Sequence, residues 1–125
     1  MDKKELIFLV EDNAIFATTA RKSLEKDLGF DVQVFATGEE LLKFTEENPG
    51  VVPSIVILDF YLNSMVPEAM NGEMILAKLK DPMIRNNPYR KIPVIMLSAA
   101  DELSIAINLL QKGATDYILK DEVFF

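Results

Sequence analysis

Cysteine, histidine and tryptophan are all missing from this chain of 125 residues. Without cysteine there is no disulfide framework and no thiol redox chemistry. Without histidine there is no imidazole metal site, no Ser-His nucleophile pair and no phosphohistidine intermediate. No apolar stretch approaches the ~20 residues of a membrane-spanning helix. Positive charge is scarce: 13 Lys and Arg stand against 20 Asp and Glu, a net charge of −7. That balance disfavours direct contact with nucleic acid or an anionic membrane. Met1-Asp2-Lys3-Lys4-Glu5 leads straight into an apolar run with no secretory pattern. The expectation is a soluble cytoplasmic protein and one domain over residues 1–125, with half the residues hydrophobic and available for a core.

What is present alternates. Short apolar runs at residues 5–10, Val32–Phe35, Ile55–Leu58, Val94–Leu97 and Tyr117–Leu119 read as strands. Between them lie helical patterns. Asn13–Leu28 carries Phe16, Ala20, Leu24 and Leu28 at helical spacing, with Gly29 as a stop. Thr37 and Glu40 have capping-box spacing ahead of Leu41, Leu42 and Phe44. Gly72 opens a helix with Met74, Ile75, Leu76 and Leu79, after a long loop at 60–71. Asp101–Lys112 offers Leu103, Ala106, Ile107 and Leu110 as a core stripe and places Ile105 and Leu109 off it, on a surface a partner could read. Alternating strands and helices predict a parallel α/β sheet, doubly wound, in the order 2-1-3-4-5 with Ile55–Leu58 central.

Ligands of such sheets bind at the carboxyl ends of the strands. Here those ends carry Glu11-Asp12, Asp59, Ser98 and Lys120. Adjacent carboxylates repel unless a cation neutralises them, and hard oxygen donors suit Mg²⁺. The plainer alternative for Glu11 and Asp12 is a helix N-cap with a favourable dipole. A carboxylate such as Asp59 can attack a phosphoryl group to form an aspartyl phosphate, given cations to hold the phosphoryl oxygens. Lys120 supplies such a charge. Ser98 supplies a hydroxyl, or a cap for the next helix.

Val10-Glu11-Asp12-Asn13, Ile57-Leu58-Asp59, Ile92-Pro93-Val94-Ile95-Met96-Leu97-Ser98-Ala99 and Gly113-Ala114-Thr115-Asp116-Tyr117-Ile118-Leu119-Lys120 together resemble the signature blocks of response-regulator receiver domains of the chemotaxis-regulator type. The resemblance covers nearly the whole chain. It implies a flavodoxin-like fold and Mg²⁺-dependent phosphoryl transfer from a histidine kinase or histidine phosphotransfer protein. It would make Asp59 the phospho-acceptor. Glu11, Asp12, Asp59 and the backbone carbonyl of Tyr61 would hold the metal, and Ser98 and Lys120 the phosphoryl group. Ser98 and Tyr117 would form the switch. Such a domain is a regulatory acceptor rather than an enzyme.

The chain departs from the family pattern in three places. The loop after Asp59 is longer by roughly Asn63–Ala69. Asp121 stands where Pro is usual, so a trans bond after Lys120 is expected. The fifth helix is truncated or missing after Val123-Phe124-Phe125, which would expose an apolar fifth-strand face to a partner or a second copy. Tyr61 and Ala100 occupy the positions that would orient attacking water, and neither can do so, which predicts a long-lived phosphoryl state. The alternative is a pseudo-receiver that binds partners without phosphorylation. An aspartate-nucleophile phosphatase would want an acid where Tyr61 stands, and a flavodoxin a phosphate loop where Glu11-Asp12 stands.

Overall fold

The computed structural model describes residues 4–62, 68–98 and 103–120. Five parallel strands, β1 (Leu6–Val10), β2 (Asp31–Phe35), β3 (Ile55–Asp59), β4 (Val94–Ser98) and β5 (Asp116–Leu119), lie in the order β2-β1-β3-β4-β5. The expected topology and the central place of β3 are both observed. Four helices connect them: α1 (Ala14–Lys22), α2 (Gly38–Glu47), α3 (Gly72–Leu79) and α4 (Leu103–Gln111). The extra loop residues 63–67, Ala100, the bond after Lys120 and the segment 121–125 lie outside the described residues.

β1 and β3 read as unbroken apolar runs because both their faces are covered. On one face Phe8, Val10, Val56, Leu58 and Met96 meet Leu41 of α2, Ile75, Leu76 and Leu79 of α3, and Leu109 of α4. On the other, Ile7, Leu9, Ile57 and Leu97 meet Phe16, Ala17 and Ala20 of α1. Leu42 and Phe44 are only partly buried against the first cluster. Phe44 is fixed there edge-on to Phe8 and Phe35, with centroids 5.7 and 5.4 Å apart. At α2 the first half of the expected capping box forms, with Thr37 Oγ1 accepting from Glu40 N–H at 3.0 Å, while Glu40 Oε2 accepts from Ala36 N–H, one residue before the cap, at 3.0 Å.

Three expectations fail. The helix expected to run to Leu28 leaves α-geometry at Ser23 and closes with a π-helical turn, Ser23–Asp27. Leu24 within that turn stays in the core, and Leu28 alone of the expected stripe leaves it, at 64% exposed. Met74 points to solvent. The α4 stripe is inverted: Leu109 is fully buried and Ile105 packs on the core, whereas Leu103, Ile107 and Leu110 are exposed, Leu103 to 75%. Positions 103, 105, 106, 107, 109 and 110 are all apolar, so two overlapping faces satisfy helical spacing and the pattern cannot choose between them. The observed face buries Leu109 in the core and also lets Glu73 of α3 accept from Asn108 Nδ2 at 3.2 Å and pair with Lys112.

α3 begins in close contact with the end of β3. A Cβ at Gly72 would lie 2.3 Å from the Asp59 carbonyl oxygen and 2.8 Å from Phe60 Cα. Both are backbone atoms, which cannot rotate away. We expect Gly72→Ala to destabilise the fold by about 1–3 kcal/mol. Gly50→Ala, where a Cβ meets nothing within 4 Å, should be close to neutral. Urea denaturation followed by circular dichroism measures both, and equal midpoints would contradict the close approach.

Candidate functional site

The sheet register decides which side chains meet. Val10 pairs with Leu58, so the next residues, Glu11 and Asp59, come level. Asp59 pairs with Leu97 and Ser98 with Leu119, which brings Ser98 and Lys120 out just beyond Asp59 on its other side. Glu11, Asp12 and Asp59 each place a carboxylate oxygen within 4.8 Å of the others. Glu11 and Asp59 are 2% and 3% exposed, while Asp12 faces solvent. Lys120 Nζ sits 2.6 Å from Glu11 Oε1 and 3.4 Å from Asp59 Oδ1. It also lies 4.7 Å from the centroid of the Phe16 ring, a cation–π contact from the first turn of α1.

Backbone amides fix the two buried acids. Asn13 N–H donates to Glu11 Oε2 at 3.1 Å, and Tyr61 N–H donates to Asp59 Oδ1 at 3.2 Å. The N-cap of α1 is Asn13, whose Oδ1 accepts from Phe16 N–H at 3.0 Å. Glu11 and Asp12 therefore precede the cap and do not serve as it. Glu11 Oε1 is buried and accepts no aligned hydrogen bond. Its short contact with Lys120 is charge pairing without a well-directed N–H.

Burial, reinforced by the neighbouring Asp59 charge and opposed by Lys120 and Asn13, pushes the Glu11 carboxyl up to about 7. Burial likewise raises Asp59 above the usual carboxylate range, against the pull of Lys120. Burial alone would lower Lys120, but its pairing with Glu11 and Asp59 outweighs that and holds it above the usual ammonium value. One ammonium faces three carboxylates. The donors are all oxygen, one buried oxygen lacks an aligned donor, and one carboxylate opens to water. That set fits a hard divalent cation such as Mg²⁺, which retains part of its hydration shell.

Ser98 closes β4 at the same end of the sheet and is fully buried. Tyr117 is partly buried on the α2–α4 face, whereas Lys120 contacts Phe16 on the α1 face. The Tyr61 ring is half-exposed and stacks edge-on to Phe60, centroids 4.7 Å apart. The structure thus brings Glu11, Asp12, Asp59 and Lys120 into one cluster. It adds two contributors that sequence reading assigned elsewhere: Phe16, taken only as a core residue, and Gly72, taken only as a helix start. Phe16 stands four residues after Asp12 on the outgoing helix, a spacing that returns its ring toward the strand end. Nothing in the sequence marks the approach at Gly72.

The description of a response regulator receiver domain matches residues 7–123. The chain is 34% identical over 117 residues to the chemotaxis protein CheY of Listeria monocytogenes, covering 92% of this chain and 86% of that one. It is 31% identical over 120 residues to the alkaline phosphatase synthesis transcriptional regulatory protein PhoP of Bacillus subtilis, covering 96% of this chain and 43% of that one. In fold it is similar to the phosphorylated cyanobacterial phytochrome response regulator RcpA, with a TM-score of 0.78 at 23% identity, over 98% of this chain and 87% of that one.

Glu11 makes the cluster pH-sensitive. Its carboxyl titrates at 4.5 in an unfolded chain and at about 7 here. Between those values the folded state keeps a proton that the unfolded state has lost, so this group's contribution to stability falls as pH rises through the window. A bound cation favours the ionised form and opposes the loss. We expect Mg²⁺ to raise the melting temperature more at about pH 8 than at about pH 5.5, and Glu11→Gln to flatten the metal-free slope. Equal stabilisation by Mg²⁺ at both pH values would contradict the assignment.

Proposed function

The chain belongs to the response-regulator receiver family, and on that premise we propose that Asp59 is its phospho-acceptor, with residues 1–125 forming a single receiver unit. Receiver domains are regulatory acceptors rather than turnover enzymes, and they take their phosphoryl group from histidine kinases. One observation carries the choice of residue. Asp59 is a nearly inaccessible carboxylate held against a lysine, with two further carboxylates beside it. A structural salt bridge needs one acid per base; this cluster places three carboxylates around one ammonium, and a bound cation offsets that charge without protonating an acid.

The donor in this reading is the phosphohistidine of a kinase or of a histidine phosphotransfer protein. Asp59 Oδ1 is committed to Tyr61 N–H and Lys120, so Oδ2 carries the attack. The new bond joins Oδ2 to phosphorus, the bond from phosphorus to the donor's imidazole nitrogen breaks with its electron pair left on that nitrogen, and the nitrogen takes a proton from water. Glu11, Asp12, Asp59 and the Tyr61 carbonyl would hold Mg²⁺, which when bound would supply positive charge for the phosphoryl oxygens. Lys120 turns from the carboxylates to one phosphoryl oxygen, and the Ser98 hydroxyl donates to another. Tyr117 follows Ser98 inward. The surface that changes is α4, whose exposed Leu103, Ile107 and Leu110 offer a partner, or a second copy, an apolar face beside β5. A cytoplasmic site of action belongs to the same reading. The charge of −7 continues to argue against direct contact with nucleic acid or an anionic membrane.

The test is intact mass after incubation with Mg²⁺ and acetyl phosphate, or with a phosphorylated kinase where the small donor is too slow. One phosphoryl group should be added to the native chain and none to Asp59→Asn. Lys120→Ala should slow the transfer by on the order of tenfold or more, as loss of one preorganised charge contact does. Modification surviving in Asp59→Asn would remove the assignment. Tyr61→Asn, which puts a water-orienting carboxamide next to the site, should shorten the phosphoryl lifetime. An unchanged lifetime would show that Tyr61 does not govern hydrolysis.

A further inference from the structure

A groove lies at the opposite end of the sheet from the acidic cluster. Its volume is about 610 Å³, and it is lined by the carboxyl ends of α2 and α3 and by the segments leading into β3 and β4. Leu42, Val51, Val52, Leu79, Ile84 and Tyr89 make its apolar wall, and Val51, Val52 and Ile84 on its outer side are exposed. Its frame is tied by polar contacts. Lys80 Nζ donates to the carbonyls of Tyr89, Arg90 and Ile92 at 2.8, 3.3 and 2.6 Å. Asn87 Nδ2 donates to Leu79 O at 2.7 Å, while Asn87 Oδ1 accepts from Tyr89 N–H at 3.0 Å.

Tyr89 is the anomaly in this frame. Its side chain is nine-tenths buried, yet its hydroxyl has no hydrogen-bond partner. A buried hydroxyl left unpaired lowers stability. Burial pushes the phenol up to about 12, so at neutral pH it remains a donor. The charged side chains of its lining, Glu46, Lys78 and Asp81, sum to −1, which disfavours an anionic ligand. A volume of this size, with an apolar patch in a partly polar wall and an unpaired hydroxyl buried just behind it, has the anatomy of a small-molecule site.

The structure assigns this groove to a small, uncharged, apolar ligand carrying one oxygen acceptor, which the Tyr89 hydroxyl satisfies as the exposed side chains of the outer wall give way. The site is separate from phosphoryl transfer, because its lining shares no residue with the acidic cluster.

Prodan, a neutral naphthyl ketone with solvent-sensitive emission, is the probe, and dimethylaminonaphthalene, which lacks the carbonyl, is its control. Prodan should bind saturably with a blue shift and move the amide resonances of Val51, Val52, Ile84 and Tyr89. Tyr89→Phe should weaken prodan about fivefold, the loss of one hydrogen bond, and leave the control probe unchanged. Val52→Glu should weaken both. In the free protein, Tyr89→Phe should raise the melting temperature, because an unpaired polar group has been removed. The proposal is overturned by absence of saturable binding, or by equal prodan affinity in Tyr89→Phe. It is also overturned by resonance changes confined to Ile57, Ile95 and Ile118 on the α1 face, or by a melting temperature that falls in Tyr89→Phe.

Discussion

Two carboxylates are buried against a single ammonium, and the carboxyl end of the sheet is organised around that imbalance. Glu11 and Asp59 share Lys120, and Asp12 adds a third acid at the solvent edge. Burying charge is tolerated only where partners are close and well aligned. Here they are close but insufficient: the Glu11 carboxyl rises to about 7 and one of its oxygens lacks an aligned donor. A structure that served only stability would replace such a group with an apolar one of similar volume. The arrangement instead keeps a high density of negative charge beside one lysine, a condition that a bound divalent cation would relieve.

Parallel pairing makes that cluster possible. Each strand delivers its last residue to the same end, and the register fixes how far each reaches. Had β3 slipped by one residue against β1, Asp59 would have pointed to the other face of the sheet. The covering helices hold that register: α1 on one face, and α2, α3 and α4 on the other, bury the strands so fully that no alternative pairing keeps the apolar residues from water.

Most of this was legible in the residues themselves. Short apolar runs that end at Glu11, Asp59, Ser98 and Lys120 defined both the strands and the site, because strand burial and strand-end chemistry leave abrupt boundaries. What escaped had no such boundary. In α4 apolar residues cover more than half the helix circumference, so Leu109 and Leu103 could not be ranked from the pattern alone; the fold buries Leu109 and sets Asn108 and Lys112 against Glu73 of α3. The end of α1 was hidden because a π-helical turn carries no residue signature in Ser23–Asp27. The unpaired Tyr89 hydroxyl is a property of three-dimensional surroundings alone.

The backbone contact at Gly72 gives α3 a mechanical character. The helix has eight residues, a rod of about 12 Å. At its start the Gly72 backbone is wedged beneath the carbonyl of Asp59, with no side chain between them to compress. At its end Lys80 is bolted to three carbonyls of the chain entering β4. The two ends differ in stiffness: the Gly72 contact is backbone on backbone, whereas Lys80 holds its carbonyls through a flexible side chain, so the unyielding end of α3 is the one at Asp59.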